Sequence, residues 1–164
     1  MKLLKHLPIL AFLSLFVFSC SSENLDEKAD ELAENLVTPA TKTIEVEILK
    51  LINDHRSTLG LSILSDMKVI KSVAYSHTDY MVDNNVVSHD NFYKRSTYLK
   101  EHAAAQKVSE NIAYGYTSSE SLVNAWIKSE QHKANIEGDF TNFDISAEQN
   151  EEGKWYYTNI FIKR

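Results

Sequence analysis

The chain contains one cysteine, Cys20, and it closes an export signal. That placement constrains the fold more than any other feature. An exported chain meets conditions in which disulfides form, yet a single thiol has no partner within its own chain. The folded part must therefore be held by an apolar core alone. Lys2, Lys5 and His6 form a basic head, and residues 7–18 are an apolar run broken only by Pro8 and Ser14. The run is shorter than the ~20 residues of a permanent membrane span. Val17-Phe18-Ser19-Cys20 then has the layout of a lipobox. Residues 1–19 are expected to be a signal peptide, with Cys20 the lipidated N-terminus of the mature chain.

Residues 20–42 read as an acidic tether. Glu23, Asp26, Glu27, Asp30, Glu31 and Glu34 face only Lys28 between Ser21 and Leu36, a composition that stays solvated. Leu25, Ala29, Leu32, Ala33 and Leu36 do fall at helical spacing within it. Ser21-Ser22-Glu23 loosely resembles the acidic tag that sends some lipoproteins to the cell surface. The expected location is the cell envelope, lipid-anchored to an outer membrane or cell surface, with the domain outside the cytoplasm. The whole chain has a net charge of −6, and loss of residues 1–19 removes two lysines and no acid. So acidic a domain is not expected to bind nucleic acid.

From Thr43 to Arg164 the chain is long enough for one core without staples. Ile44, Ile48, Leu51, Ile52, His55 and Leu59 mark one face of a helix over 43–59, with Gly60 as its stop. Leu61, Ile63 and Leu64 read as apolar anchors. A second helix is expected from about Asp66, with Ile70, Val73, Ala74, His77, Tyr80 and Met81 inward, ending at Asp83-Asn84-Asn85. After a loop, Asn91 is placed to cap a third helix carrying Phe92, Ser96 and Leu99. Residues 108–114 read as a strand closed by Gly115. Thr117-Ser118-Ser119-Glu120 has the capping-box pattern for a helix carrying Leu122, Val123, Ala125, Trp126 and Ile127. Ser129 is placed to cap one more turn. The rest reads as a hairpin around Asn150-Glu151-Glu152-Gly153, its first strand glycine-free over 140–146 and so regular. Helices first and a hairpin last make the class α+β.

Three runs carry the ionisable groups: Ser88-His89, Ser109-Glu110-Asn111-Ile112-Ala113-Tyr114-Gly115, and His132-Lys133-Ala134-Asn135-Ile136. On residue type alone, His89 is a loop histidine, and Glu110 in an apolar-flanked strand needs a partner, a metal or water. His132 alone reads as a helix-start histidine bonded to nearby backbone. Asp90 is a possible acceptor for the His89 ring, and Asn111 suits a backbone tether. His55 and His77 lie on apolar helix faces and read as core residues, His102 has no evident partner, and Tyr114, Tyr116 and Trp126 read as core aromatics.

In this order, and with Leu51-Ile52-Asn53-Asp54-His55-Arg56 and Ala74-Tyr75-Ser76-His77-Thr78-Asp79-Tyr80-Met81 before them, the runs resemble the CAP superfamily. Those are the cysteine-rich secretory, antigen 5 and pathogenesis-related-1 proteins, here in the short bacterial form. The resemblance covers nearly all of 44–162. It implies an α-β-α sandwich, with a mostly antiparallel sheet between helical layers. It also implies that His89, Glu110 and His132 share a central cavity, with Glu130 a possible fourth member. Ser109 stands where the family usually has glycine, and Glu130-Gln131 where it usually has proline-glycine.

Two imidazoles and a carboxylate suit zinc or another divalent metal. The favoured expectation is a monomeric, membrane-anchored domain whose cavity binds a metal or a small ligand, with lipid, peptide and envelope components as possible partners. A hydrolase acting on peptide or cell-wall substrate is the alternative, with Glu110 as base. Against it, no serine or cysteine nucleophile stands beside a convincing base, and there is no HExxH helix. A non-catalytic envelope or host interaction module is the third reading.

Overall fold

A computed structural model describes residues 36–164. The signal peptide, Cys20 and the tether as far as residue 35 lie outside the described residues. Five helices and four strands follow: α1 (Thr43–Thr58), β1 (Ser65–Asp66), α2 (Lys68–Asp83), α3 (Phe92–His102), β2 (Lys107–Tyr114), α4 (Ser119–Lys128), α5 (Glu130–Ile136), β3 (Asn142–Gln149) and β4 (Trp155–Lys163). The sheet order is β1-β3-β4-β2, with β1 parallel to β3 and the other pairs antiparallel. The last strand is therefore central. Both long ladders run without a break in register, as the glycine-free stretch before β3 and within it requires.

Every residue from Phe143 to Ala147 and from Tyr156 to Ile162 is buried, because both faces of the sheet are covered. On one face Ile48, Ile52, Leu122, Val123, Trp126 and Ile136 from α1, α4 and α5 pack on Phe143, Ile145, Tyr157 and Phe161. On the other, Ile70, Val73, Ala74, Tyr98 and Leu99 from α2 and α3 pack on Ile160 and Ile162. This is the expected α-β-α sandwich.

Several local expectations change. The buried stripe of α1 is Glu45, Ile48, Ile52 and Arg56, while Leu59 is 52% exposed at the C-cap. Two charged residues turn inward because each has backbone to bond. Arg56 donates to the carbonyls of Ser62, Ile136 and Gly138, tying the end of α1 to the end of α5. Of the three apolar anchors only Leu64 is buried, and Ile63 is 65% exposed. α2 begins at Lys68 rather than Asp66, since Ser65 and Asp66 pair with β3. Asn91 does precede α3, but in the left-handed region (φ 57°) and without a side-chain cap. Ser118, one residue beyond Thr117, caps α4 by accepting from the Ser121 N–H. Ser129 is the N-cap residue of α5, but its side chain caps no backbone N–H.

The outer edge of β3, beyond short β1, is closed by charge. Glu45 Oε1 accepts the Ala147 N–H at 2.8 Å, and Lys71 Nζ donates to the Ile145 carbonyl at 2.8 Å. The two side chains pair with each other at 2.5 Å, almost fully buried. Asp144 Oδ1 accepts the Ile145 N–H, and Oδ2 accepts that of Met67 just before α2. α1 and α2, on opposite faces, are thus joined around one edge. Lys71→Met is expected to cost about 3–5 kcal/mol in urea unfolding, because Glu45 keeps a buried unpaired charge. Adding Glu45→Gln, which retains an acceptor for Ala147, is expected to recover part of that loss.

Candidate functional site

The opposite edge of the sheet is β2, and the three sequence runs meet around it. Strand alternation sends the Glu110 side chain toward α2 and α3, and that of Asn111 toward α5. The Glu110 side chain is 1% exposed. Arg95 of α3 grips it with both arms of its guanidinium, Nε to Oε2 at 2.8 Å and Nη2 to Oε1 at 2.8 Å. His89 Nδ1 lies 2.8 Å from Oε1. Burial alone would raise the carboxyl pKa. The hydrogen bonds from His89 and Arg95, with the Arg95 charge, outweigh burial and hold it below the usual carboxylate range.

An ionised carboxylate only accepts, so His89 carries a proton on Nδ1 and turns Nε2 away from Glu110. Its side chain is 52% exposed. The loop around it is clamped on both sides. His77 Nε2 donates to the Ser88 carbonyl at 2.7 Å, Tyr80 donates to the Asp90 carboxylate at 3.1 Å, and Arg95 Nη1 donates to the Asp90 carbonyl at 2.7 Å. Asp90 therefore faces Tyr80, and Glu110 is the acceptor that orients the His89 ring. His77 is buried as expected of a core residue. Burial, then the Arg95 charge, pushes its pKa down to about 4, so it is neutral near pH 7.

On the other face Asn111 acts as donor and acceptor. Its Nδ2 bonds the His132 carbonyl at 3.1 Å, and its Oδ1 accepts from Asn135 Nδ2 at 2.8 Å. Asn135 also donates to the Glu110 carbonyl, and Trp126 Nε1 to the Ile112 carbonyl. α5 is thereby sewn to the strand beside Glu110. His132 Nδ1 lies 2.9 Å from the Ser129 hydroxyl, and its ring sits against Trp126 with centroids 6.4 Å apart. Burial first, and the charge of His89 second, lower the His132 pKa. The two imidazoles thus feel one another across the strand edge.

Glu130 is exposed in the first turn of α5 and joins none of these bonds. His55 bonds Glu137 and His102 stacks on Tyr98, both away from the site. Trp126 is core, while Tyr114 is 37% exposed. Arg95 escaped sequence reasoning, although Arg95, Tyr98 and Leu99 share one buried helical stripe. A buried glutamate demands a cation, and that stripe supplies it.

Glu110 does not stand as a free ligand. Among the described residues, no group of three or more His, Cys, Asp or Glu side chains is arranged to hold a metal ion. Glu110 has both oxygens engaged with a guanidinium, which also makes it a weak base. With Glu110 serving as the orienting carboxylate of His89, the imidazoles of His89 and His132 are what is left of the three-residue set.

Residues 49–161 match the family model described as the cysteine-rich secretory protein family, CAP, and the chain belongs to that family. It is a CAP domain protein of bacterial type. It is 35% identical over 128 residues to YlbC of Bacillus subtilis (strain 168), described as an uncharacterized membrane protein; the match covers 74% of this chain and 35% of YlbC. It is 29% identical over 126 residues to YkwD of the same organism, covering 72% of this chain and 49% of YkwD. The chain thus spans well under two thirds of either relative. Among solved structures, an outer surface protein of Borrelia burgdorferi shares the fold at a TM-score of 0.69 and 21% identity, covering 79% of this chain and 98% of that one. An extracellular SCP-domain protein of Bacillus anthracis str. Ames gives 0.65 and 25%, covering 78% and 45%.

Two shifted groups set opposing pH dependences. His77, at about 4 in the fold, contributes stability that is lost as pH falls from about 6.5 through about 4. Burial raises the Asp144 pKa to about 6, so its contribution is present below about pH 4 and lost as pH rises through about 6. The two nearly cancel between. Asp144→Asn is expected to unmask His77: unfolding free energy should fall by about 3 kcal/mol between pH 6.5 and 4, more steeply than in the parent. Urea titrations at several pH values measure this.

Proposed function

We propose that this protein is a lipid-anchored envelope module that binds a divalent transition metal between His89 and His132, with Glu110 positioning the first imidazole. The observation that carries the reading is the Glu110–His89 hydrogen bond, which fixes a proton on Nδ1 and leaves Nε2, on a half-exposed side chain, as the nitrogen that can coordinate. A carboxylate behind a ligating histidine is the usual support of such a ligand. The lowered His132 pKa keeps that ring neutral, the form that coordinates. A bound metal would supply Lewis acidity to a small ligand or to water filling its remaining positions. Binding rather than hydrolysis is the better reading of the side chains. Ser88 Oγ accepts the Asp90 N–H, Ser109 Oγ pairs with Asn135, and neither has a base beside it.

The anchor reading rests on the basic head, the apolar run and Cys20. The names of the relatives, a membrane protein and an outer surface protein, accord with an envelope location. No helix among the described residues is long and apolar enough to cross a membrane. In a bacterial host, Cys20→Ser is expected to move the chain from the membrane pellet to the soluble fraction.

For the site, zinc is titrated calorimetrically into untagged, chelator-treated protein. Near-stoichiometric binding is expected, lost in His89→Ala and weakened about 10- to 100-fold in Glu110→Gln. Absence of binding, or binding that survives His89→Ala undiminished, rejects the metal reading.

A further inference from the structure

Another concavity shares no residue with the site around His89, Glu110 and His132. It opens between the chain after α1, residues 60–63, and the chain after α5, residues 137–140, with Lys163 of β4 beside them, and holds about 470 Å³. Arg56 lines it, although that residue is only 2% exposed. Its Nε and Nη1 are taken by the carbonyls of Ser62, Ile136 and Gly138, which bond the protons but bring no opposing charge. Burial lowers the Arg56 pKa, and the charge of Asp139 offsets that only in part. A guanidinium so placed calls for an anion.

Asp139 is already claimed by other cations. Its side chain is 82% exposed, with Oδ1 2.6 Å from Lys163 Nζ. The hydrogen bond from Lys163, then the charges of Lys163, Lys107 and Arg56, hold its carboxyl below the usual range. Three cations thus converge on one solvated acid. Lys107 and Lys163 are direct partners across β2 and β4, and like charges opposed in a ladder repel. Lys107 Nζ stands 4.6 Å from the ring centroid of Phe140, itself part of the cleft wall. The other acid of the cleft, Glu137, is met by His55 Nε2 at 2.9 Å and by Lys133 Nζ at 3.8 Å. Arg56, Lys107 and Lys163 therefore exceed Asp139 by two charges, in a chain whose net charge is −6.

We infer that this cleft binds a phosphate group, with Arg56, Lys107 and Lys163 as its donors. A dianion matches the excess charge, and its oxygens accept from guanidinium and ammonium groups alike. It takes Lys163 over from Asp139 and relieves the opposition of the two lysines. A carboxylate brings a single charge and meets only half of the excess. On Arg56 the arm that serves is Nη2, which bonds none of the described residues and is not among their fully buried atoms. Leu61 and Ile63, the latter 65% exposed, give an apolar wall to the body that carries the phosphate. That body is a soluble phosphomonoester or a lipid; the phosphate is common to both.

The test is a calorimetric titration of the full chain in a maltoside detergent, treated with chelator so that no metal holds phosphate. Inorganic phosphate, hexyl phosphate and micelle-borne phosphatidylglycerol are titrated separately, against sodium chloride of matched ionic strength. Saturable phosphate binding is expected, about tenfold weaker in Lys107→Gln/Lys163→Gln. In Asp139→Asn, which removes the competing carboxylate, it is expected to be about threefold tighter. That gain guards against misfolding, since a damaged cleft does not bind more tightly. Preference for hexyl phosphate over the lipid identifies a soluble phosphomonoester, and the reverse preference a lipid headgroup. No saturable heat, the same heat with sodium chloride, unchanged affinity in the lysine variant, or no gain in Asp139→Asn overturns the inference.

Discussion

The ion pair between Arg95 and Glu110 is the interaction on which the site depends. A carboxylate 1% exposed on a sheet strand is costly unless its charge is met and its lone pairs are bonded. The Arg95 fork does both, and in doing so fixes α3 against β2. The same guanidinium holds the Asp90 carbonyl, so the loop that carries His89 is placed by the group that neutralises Glu110. One side chain thus sets a charge, a helix position and a ring orientation together. It also takes Glu110 away from metal coordination and from proton transfer.

A four-stranded sheet in a disulfide-free domain has two edges to protect, and edge backbone is where such a domain is vulnerable. Here the protection is polar rather than covalent. Glu45 and Lys71 reach around β3 from helices on opposite faces, and Arg56 ties the ends of α1 and α5. Asn135 and Trp126 cover the Glu110 and Ile112 carbonyls of β2, and Asn111 reaches from β2 to the His132 carbonyl of α5. These buried polar groups do what bridges do in disulfide-rich domains: they fix how the layers sit on one another.

Much of this could be read from the sequence. The order of elements, the stop at Gly60, the strand closing at Gly115 and the hairpin turn at Asn150–Gly153 follow from periodicity and turn chemistry, which are local. The double role of Asn111 was legible because an amide next to a buried acid has few other uses. What escaped depends on distant partners. Glu45 and Arg56 interrupt the apolar pattern of α1, and only β3 and α5 explain why they face inward. A two-residue strand such as Ser65–Asp66 has no periodicity to detect. Arg95 shows no role in the sequence until Glu110 is placed beside it. The hydroxyl of Ser129 was read as a helix cap and instead meets His132, because a ring nitrogen competes with the backbone for it.

The central position of β4 has a consequence for how the domain comes into being. β2 and β3 are not neighbours in the sheet; each pairs with β4, which follows both in the chain. Without Trp155–Lys163 the chain has only the two-residue pairing of β1 with β3 and cannot join β2 to the sheet, and Glu45 waits for a partner about a hundred positions downstream. Assembly of the four-stranded sheet therefore waits on β4, the one strand that both long partners need.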